Sequence, residues 1–251
     1  MGKGKKNKKK KSVVWFYLGN IILGVIIIIV AAFIAMYMFC NVHDVQVVGS
    51  KYYDPIEIEE YVLTGKYKNN AVYVTFDNAL HPKKNIPFVE SAKVKMTSYD
   101  KVEIKVKEKS MMGFMAVADG TFAYFNDEGE VVEVSDRILD DILPVSGVVL
   151  ESAEVGQHVA IDEKQLNNML NIIKVLRKNN VAVTSGNFDE AGNFGVFSGA
   201  VYINFGNGSD IDEKVKRLNY ILPKLVDMSG ILHLEDWSTQ DTDIVFEKTT
   251  E

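Results

Sequence analysis

From Val13 to Phe39 the chain runs for 27 residues with no charged side chain and a single amide, Asn20. As a helix this run is about 40 Å long at roughly 1.5 Å per residue. A bilayer's hydrocarbon core is about 30 Å thick and takes about 20 residues to cross. A lone strand would leave its backbone groups unsatisfied in lipid, so the run predicts a membrane-spanning helix. Trp15, Phe16 and Tyr17 at one end and Tyr37 and Phe39 at the other suit the two headgroup layers. Seven lysines precede it (Lys3, Lys5, Lys6, Lys8, Lys9, Lys10 and Lys11) with no acid among them. Only Lys51 appears in the twenty residues after Cys40. The positive-inside rule therefore predicts a single-pass protein of the cell membrane, with residues 1–12 a basic cytoplasmic tail and the body outside. The lysines serve as a topology signal that also touches anionic lipid, a reading preferred to a nucleic-acid arm. The run is too long for a cleaved signal peptide and lacks its small-residue cleavage site. Met38 and Phe39 are too large to precede a lipidated cysteine. Lys6 stands where myristoylation at Gly2 wants Ser or Thr.

The rest of the chain is a different environment. Of the 28 basic and 34 acidic residues, 21 bases and every acid lie beyond Cys40, a net charge of -13 there. Such a body repels phosphates, which argues against nucleic-acid binding. Cys40 is the only cysteine, so no intrachain disulfide framework exists.

Two folded parts are expected, 41–109 and 110–248, followed by a short polar tail, 249–251. In the first, Val42 to Val48 reads as a strand ending at Gly49-Ser50. Asp54-Pro55-Ile56-Glu57 has the spacing of a capping box, with proline at the first helical position. A short second helix is predicted near Phe76–Lys84, interrupted by Pro82. Phe88–Thr97 reads as a strand. Lys101 to Lys107 alternates charged and apolar residues without a fault, as a strand wet on one face does. The second part reads as short strands with two long helices. Strands are predicted at Met111–Val117, Phe122–Phe125, Val131–Val134, Val181–Thr184, Phe194–Phe197, Val201–Phe205, Ile231–Glu235 and Thr242–Phe246. Asp162–Asn180 carries Leu166, Met169, Leu170, Ile173 and Leu176 on one face. A second helix starts near Asp210–Asp212 and buries Val215, Leu218, Leu222 and Leu225, with Pro223 bending it or marking its last turn. The fold class is α+β.

A search for chemistry finds none. His43, His81, His158 and His233 do not pair at metal-ligand spacing. Gly195-Val-Phe-Ser198-Gly199 misplaces its serine for a nucleophile elbow. Gly206-Asn-Gly208 lacks the third glycine of a dinucleotide loop. Asp127-Glu128-Gly129 and Asp189-Glu190-Ala191-Gly192 do not keep the alternating ligands of a calcium loop. No catalytic, metal or cofactor residue and no small-molecule substrate is expected, and the chain is read as a non-enzyme.

The order of these parts resembles the bacterial cell-division proteins of the FtsQ/DivIB family. The resemblance rests on Val45-Gln-Val-Val-Gly49-Ser50 with the capped helix Asp54–Leu63, on Ile86-Pro87-Phe88-Val89-Glu90-Ser91-Ala92-Lys93-Val94, and on Val102 to Lys109. Phe122–Gly129, Lys214-Val-Lys216-Arg217-Leu218 and the closing strands extend it over nearly the whole chain. The turn before the last strand of the first part lacks a proline many members have, and Lys109 stands where arginine is common. The resemblance implies a polypeptide-transport-associated (POTRA) domain of β-α-α-β-β order at 41–109 and a larger β domain after it. It implies a divisome scaffold at the septum that binds FtsB/DivIC-type and FtsL-type bitopic proteins and helps regulate septal cell-wall synthesis. The implied mode is addition of a partner strand to the last strand. Arg217, Trp237, Ile244, Val245 and Phe246 are then the candidate partner-binding residues, each with a plain packing or solvation role as its alternative. The competing reading is an anchored sensor or cell-wall ligand-binding module, which needs a concave pocket in the β domain.

Overall fold

The computed structural model describes residues 6–237 and 244–249. It divides into two compact units, Met1–Glu108 and Lys109–Glu251, and its fold is mixed α+β with one long apolar helix at the N-terminal end and two mixed sheets.

Helix α1 runs unbroken over Lys6–Phe39. Lys6 and Lys8 to Lys11 thus fall within the helix by backbone, in keeping with lysine's good helix propensity. Lys3 and Lys5 lie outside the described residues. Trp15–Phe39 is long and apolar enough to cross a membrane, and none of it is buried by the protein. After α1 come β1 (Asp44–Val48), α2 (Pro55–Val62), α3 (Ala71–Leu80), β2 (Val89–Ser98) and β3 (Lys101–Glu108). The three strands form one sheet in the order β1-β3-β2, with β1 parallel and β2 antiparallel to β3.

The capping box of α2 is present: the Ile56 N–H donates to Asp54 Oδ1 at 2.9 Å and the Asp54 N–H to Glu57 Oε2 at 3.1 Å. The second helix differs from the sequence reading. It starts five residues earlier, at Ala71, because Asn70 caps it through the Tyr73 N–H at 3.0 Å. It stops before Pro82, whose predecessor His81 is held out of the helical region. Asn78 fixes its rotation. The Asn78 amide donates to the Ala92 carbonyl at 3.1 Å and accepts from the Val94 N–H at 2.9 Å, both on β2. Ile58, Val62, Val74, Val94, Val102 and Ile104 form the core beneath.

The second unit is one nine-stranded sheet with two helices. In chain order it comprises β4 (Gly113–Val117), β5 (Phe122–Phe125), β6 (Val131–Ser135), β7 (Leu143–Leu150), α4 (Glu163–Lys178), β8 (Ser185–Phe188), β9 (Phe194–Ser198), β10 (Val201–Asn204), α5 (Ile211–Ile221), β11 (Gly230–His233) and β12 (Val245–Lys248). The strand order across the sheet is β12-β11-β10-β9-β8-β7-β4-β5-β6. Strand β7 has no counterpart in the sequence reading, and β8 begins four residues later than the strand predicted at Val181. At Pro223 the helix gives way to a 3-10 turn, Leu222–Lys224. Lys109 donates to the Val132 carbonyl at 2.7 Å and pairs with Glu133 at 2.9 Å, so it reaches β6 as a lysine.

The sheet's two faces are unequal. Val196, Ile203 and Leu232 on one face share a single core with Leu166, Met169 and Ile173 of α4 and Val215 and Leu218 of α5. On the other face of the same strands, Phe197, Tyr202 and Ile231 sit abreast by register and remain partly exposed.

Candidate partner-binding edge

The last strand falls elsewhere than predicted. Thr242 and Asp243 lie outside the described residues, Ile244 precedes the strand, and β12 spans Val245–Lys248. The shift has a physical reason: β12 is held by its pairing with β11 rather than by a run of apolar residues. The register sets His233 opposite Val245, Leu232 opposite Phe246, Ile231 opposite Glu247 and Gly230 opposite Lys248. The Thr249 N–H donates to the Ser229 carbonyl at 2.9 Å. Antiparallel ladders alternate, so Ile231/Glu247 and His233/Val245 are the pairs that exchange hydrogen bonds. Phe246 and Lys248 consequently turn their N–H and C=O groups away from β11. Among the described residues no strand lies beyond β12.

Side chains divide the other way. Ile244 and Phe246 are half-buried and pack against the core, while Val245 is 59% exposed on the opposite face. Gly230 lets β12 come close: a Cβ there would run into the Glu247 carbonyl oxygen and stand 3.0 Å from Lys248 Cα.

Helix α5 builds the neighbouring wall. Lys214 is fully buried on it, and its ammonium donates to the carbonyls of Phe205 at 3.1 Å and Glu235 at 3.2 Å. That staple ties α5 to the ends of two parallel strands, β10 and β11. Burial pushes the Lys214 ammonium below its ordinary pKa, opposed by Asp210, Glu235 and Asp236 nearby. Gly206 makes the turn between β10 and α5 with φ 64°, and a Cβ there would stand 2.8 Å from that of Glu235. Three residues after Lys214, exposed Arg217 lays its guanidinium 5.7 Å from the ring centre of Trp237. Trp237 is buried, and among the described residues its indole N–H has no hydrogen-bond partner. Arg217 and Trp237 are thus brought together at the sheet end that carries β12.

Three further residues, His233, Glu235 and Glu247, are not among the partner-binding candidates read from the sequence. His233 Nδ1 lies 2.6 Å from Glu235 Oε1, and its Nε2 lies 3.4 Å from Glu247 Oε2 on β12. Its pKa is raised, first by the hydrogen bond to Glu235, with Glu247 adding to the effect against desolvation. A histidine at the end of β11, between Glu235 just past that strand and Glu247 on β12, clasps the two strands together when charged. Glu247 was missed because the strand was ended at Phe246.

Elsewhere in the unit a cleft of about 580 Å³ is lined by residues including Asp140, Asp141, Ile173, Arg177, Val181 and Thr184. Its Arg177 guanidinium donates to the Met111 and Met112 carbonyls, at 3.4 and 2.6 Å. Among the described residues no three His, Cys, Asp or Glu side chains gather to hold a metal ion.

These features define a class: a chain with one membrane-length helix, two α+β units and an open sheet edge near its C-terminal end. No family model matches the chain. It is similar to the cell division protein DivIB of Clostridium tetani (strain Massachusetts / E88), 23% identical over 198 residues that cover 76% of this chain and 73% of that protein. This distant relative bears out the FtsQ/DivIB resemblance and supports a role in cell division. With the single apolar helix it points to a single-pass membrane division protein.

Proposed function

We propose that the chain is a non-enzymatic scaffold of the division machinery whose β12 edge accepts a strand from another division protein outside the membrane. The first unit is read as a POTRA domain, and the septum as the place of action, where strand capture helps regulate cell-wall synthesis. The partner is of the FtsB/DivIC or FtsL type. The observation that carries this reading is the pair of outward-facing backbone positions, Phe246 and Lys248, on a strand with no further neighbour among the described residues. Unpaired ladder groups at an edge are a template for another chain. Val245 offers an exposed side chain on one face, and Arg217 offers a positive charge stacked on Trp237.

The test is capture from native membranes by the chain with and without residues 241–251. Loss of a small bitopic coiled-coil protein on truncation is the expected result. Unchanged capture by the truncated, folded chain refutes strand addition.

A further inference from the structure

Within the first unit, where α1 meets α3, an apolar cleft of about 560 Å³ is lined by Phe33, Met36 and Tyr37 of α1 on one side. The other side is Tyr67, Asn70 and α3, through Val72, Tyr73 and Phe76. The junction is tied by hydrogen bonds rather than left as a free hinge. The Asn70 amide donates to the Met36 carbonyl at 3.2 Å, the Ala71 N–H to the Cys40 carbonyl at 2.8 Å, and the Val42 N–H to the Asn69 carbonyl at 2.7 Å. The Met36 carbonyl also accepts the Cys40 N–H at 3.2 Å, so it is the Cys40 carbonyl, just past the helix end, that would otherwise lack a donor; together these contacts hold the start of α3 against α1.

Asn78 sets which way α3 faces. With Ala71, Val74 and Asn78 turned inward, Tyr73, Phe76 and Leu80 form a stripe on the outer side at 38%, 65% and 72% exposure. In water such a stripe is unfavourable. One wall of the cleft, however, belongs to the membrane-length segment Trp15–Phe39 itself. Phe33 lies six residues before the end of that segment, about 9 Å along the axis. The cleft therefore reaches from acyl-chain depth to the headgroup layer, whichever way the chain crosses.

The loop at its upper rim has the matching charge. Between Tyr61 and Phe76 the sequence has two lysines, Lys66 and Lys68, and no acid, against the acidic balance of the body. Lys66 Nζ lies 5.6 Å from the Tyr67 ring centre, and Tyr67 meets Tyr37 of α1 and Tyr73 of α3 edge to face at 6.3 and 5.4 Å. Tyrosine and lysine are the residue types that settle at the membrane interface.

We propose that this cleft is a phospholipid site: an acyl chain lies against Phe33, Tyr37 and Phe76, and an anionic headgroup meets Lys66 and Lys68. The site seats α3 on the membrane surface. It rests on the reading of α1 as membrane-spanning, and the experiment separates the two.

Full-length protein with Cys40→Ser carries one environment-sensitive fluorophore at Phe76→Cys, Leu80→Cys, Ile28→Cys or Lys105→Cys. It is placed in vesicles of phosphatidylcholine and phosphatidylglycerol. Position 28 reports insertion of the span, and position 105 lies on the sheet face away from the helices. Spin-labelled phosphatidylglycerol is expected to quench positions 28, 76 and 80 several-fold more than position 105. Spin-labelled phosphatidylcholine should quench 76 less, and Lys66→Gln with Lys68→Gln should remove that preference. Quenching at 28 but not at 76 or 80 overturns the proposal while leaving the span intact. No quenching at 28 overturns the span and the proposal with it. Protection of 76 from both lipid and aqueous quenchers, lost as protein is diluted in lipid, gives the cleft to a second copy's helix instead. Equal quenching by the two lipids overturns the role of the lysines.

Discussion

Lys248→Pro isolates the backbone of the edge from its side chains. Lys248 turns its N–H away from β11, while Glu247 and Thr249 on either side carry the bonds that hold β12 in the sheet. Proline at 248 removes the outward donor and places its ring where a partner carbonyl would approach. Proline is tolerated on an edge strand when its missing N–H faces outward, and the extended conformation it imposes on residue 247 is that of a strand already. The chain's own stability should change by less than about 1 kcal/mol, because no ladder bond within the sheet is lost. A partner strand loses one ladder bond, about 1 kcal/mol, and keeps a dehydrated carbonyl without a donor, about 1–3 kcal/mol more. Together these weaken binding by roughly 2–4 kcal/mol, on the order of 30- to 1,000-fold in Kd.

Titration of the full-length protein in detergent with a DivIC-type partner reads this out, beside a thermal melt. Lys248→Ala, which removes the ammonium and keeps the N–H, should bind almost as the unaltered chain does. Glu247→Pro is the mirror control: it deletes the donor to Ile231 and should loosen β12 itself. Wild-type affinity for Lys248→Pro with an intact melt refutes strand addition at β12.

Gly230→Ala puts a Cβ against the β12 backbone, so the strand must shift; partner binding should fall and the melt should drop by about 1–3 kcal/mol, measured by denaturant titration. Protonated His233 bridges Glu235 and Glu247, and its pKa is raised in the folded chain. Its contribution is therefore full below the unfolded value of about 6.5 and is lost as pH rises through the folded one; exchange of the Val245 and Glu247 amides should quicken, relative to intrinsic exchange, over that window, and His233→Gln should flatten the trend. Lys214→Ala leaves two carbonyls without their donor and a cavity beneath α5, a loss of about 2–4 kcal/mol by denaturant unfolding, whereas Lys214→Met should retain more stability by keeping the volume.

Features written into neighbouring residues were legible. The uncharged run before Phe39, the capping box at Asp54 and Glu57 and the alternation from Lys101 each specify an element within a few residues. Helix α3 was misplaced because Ala71-Val-Tyr-Val-Thr-Phe has the β-branched and aromatic content of a strand. Its helix is decided by the Asn70 cap and by Asn78 bonding to β2, a partner 14 to 16 residues away. Strand β7 carries Pro144 and Gly147, which argue against a strand when read locally; its place between β4 and β8 is set by tertiary pairing. In the candidate site Arg217 and Trp237 were named, but their stacking was not visible. Lys214 left a signal that could have been used: with Ile211, Val215 and Leu218 it falls on the apolar face of α5 by helical spacing.

The two ends of the nine-stranded sheet are managed differently, and that contrast bears on what β12 is for. At the far end, β6 is covered. The Val131 N–H donates to the Gln157 carbonyl at 2.7 Å, the Gly156 N–H donates to the Val131 carbonyl at 2.8 Å, and Lys109 takes the Val132 carbonyl. A loop and a lysine thus do at β6 what another strand would do. At β12 the chain supplies no equivalent among the described residues. What β12 does have is brevity, four residues, and two charged side chains, Glu247 and Lys248. Those devices discourage indiscriminate pairing of edges while leaving backbone groups in reach. Backbone groups left in reach beside charged side chains are what the proposed strand addition at β12 would use, and β6, already bonded to its own loop, has fewer such groups to offer.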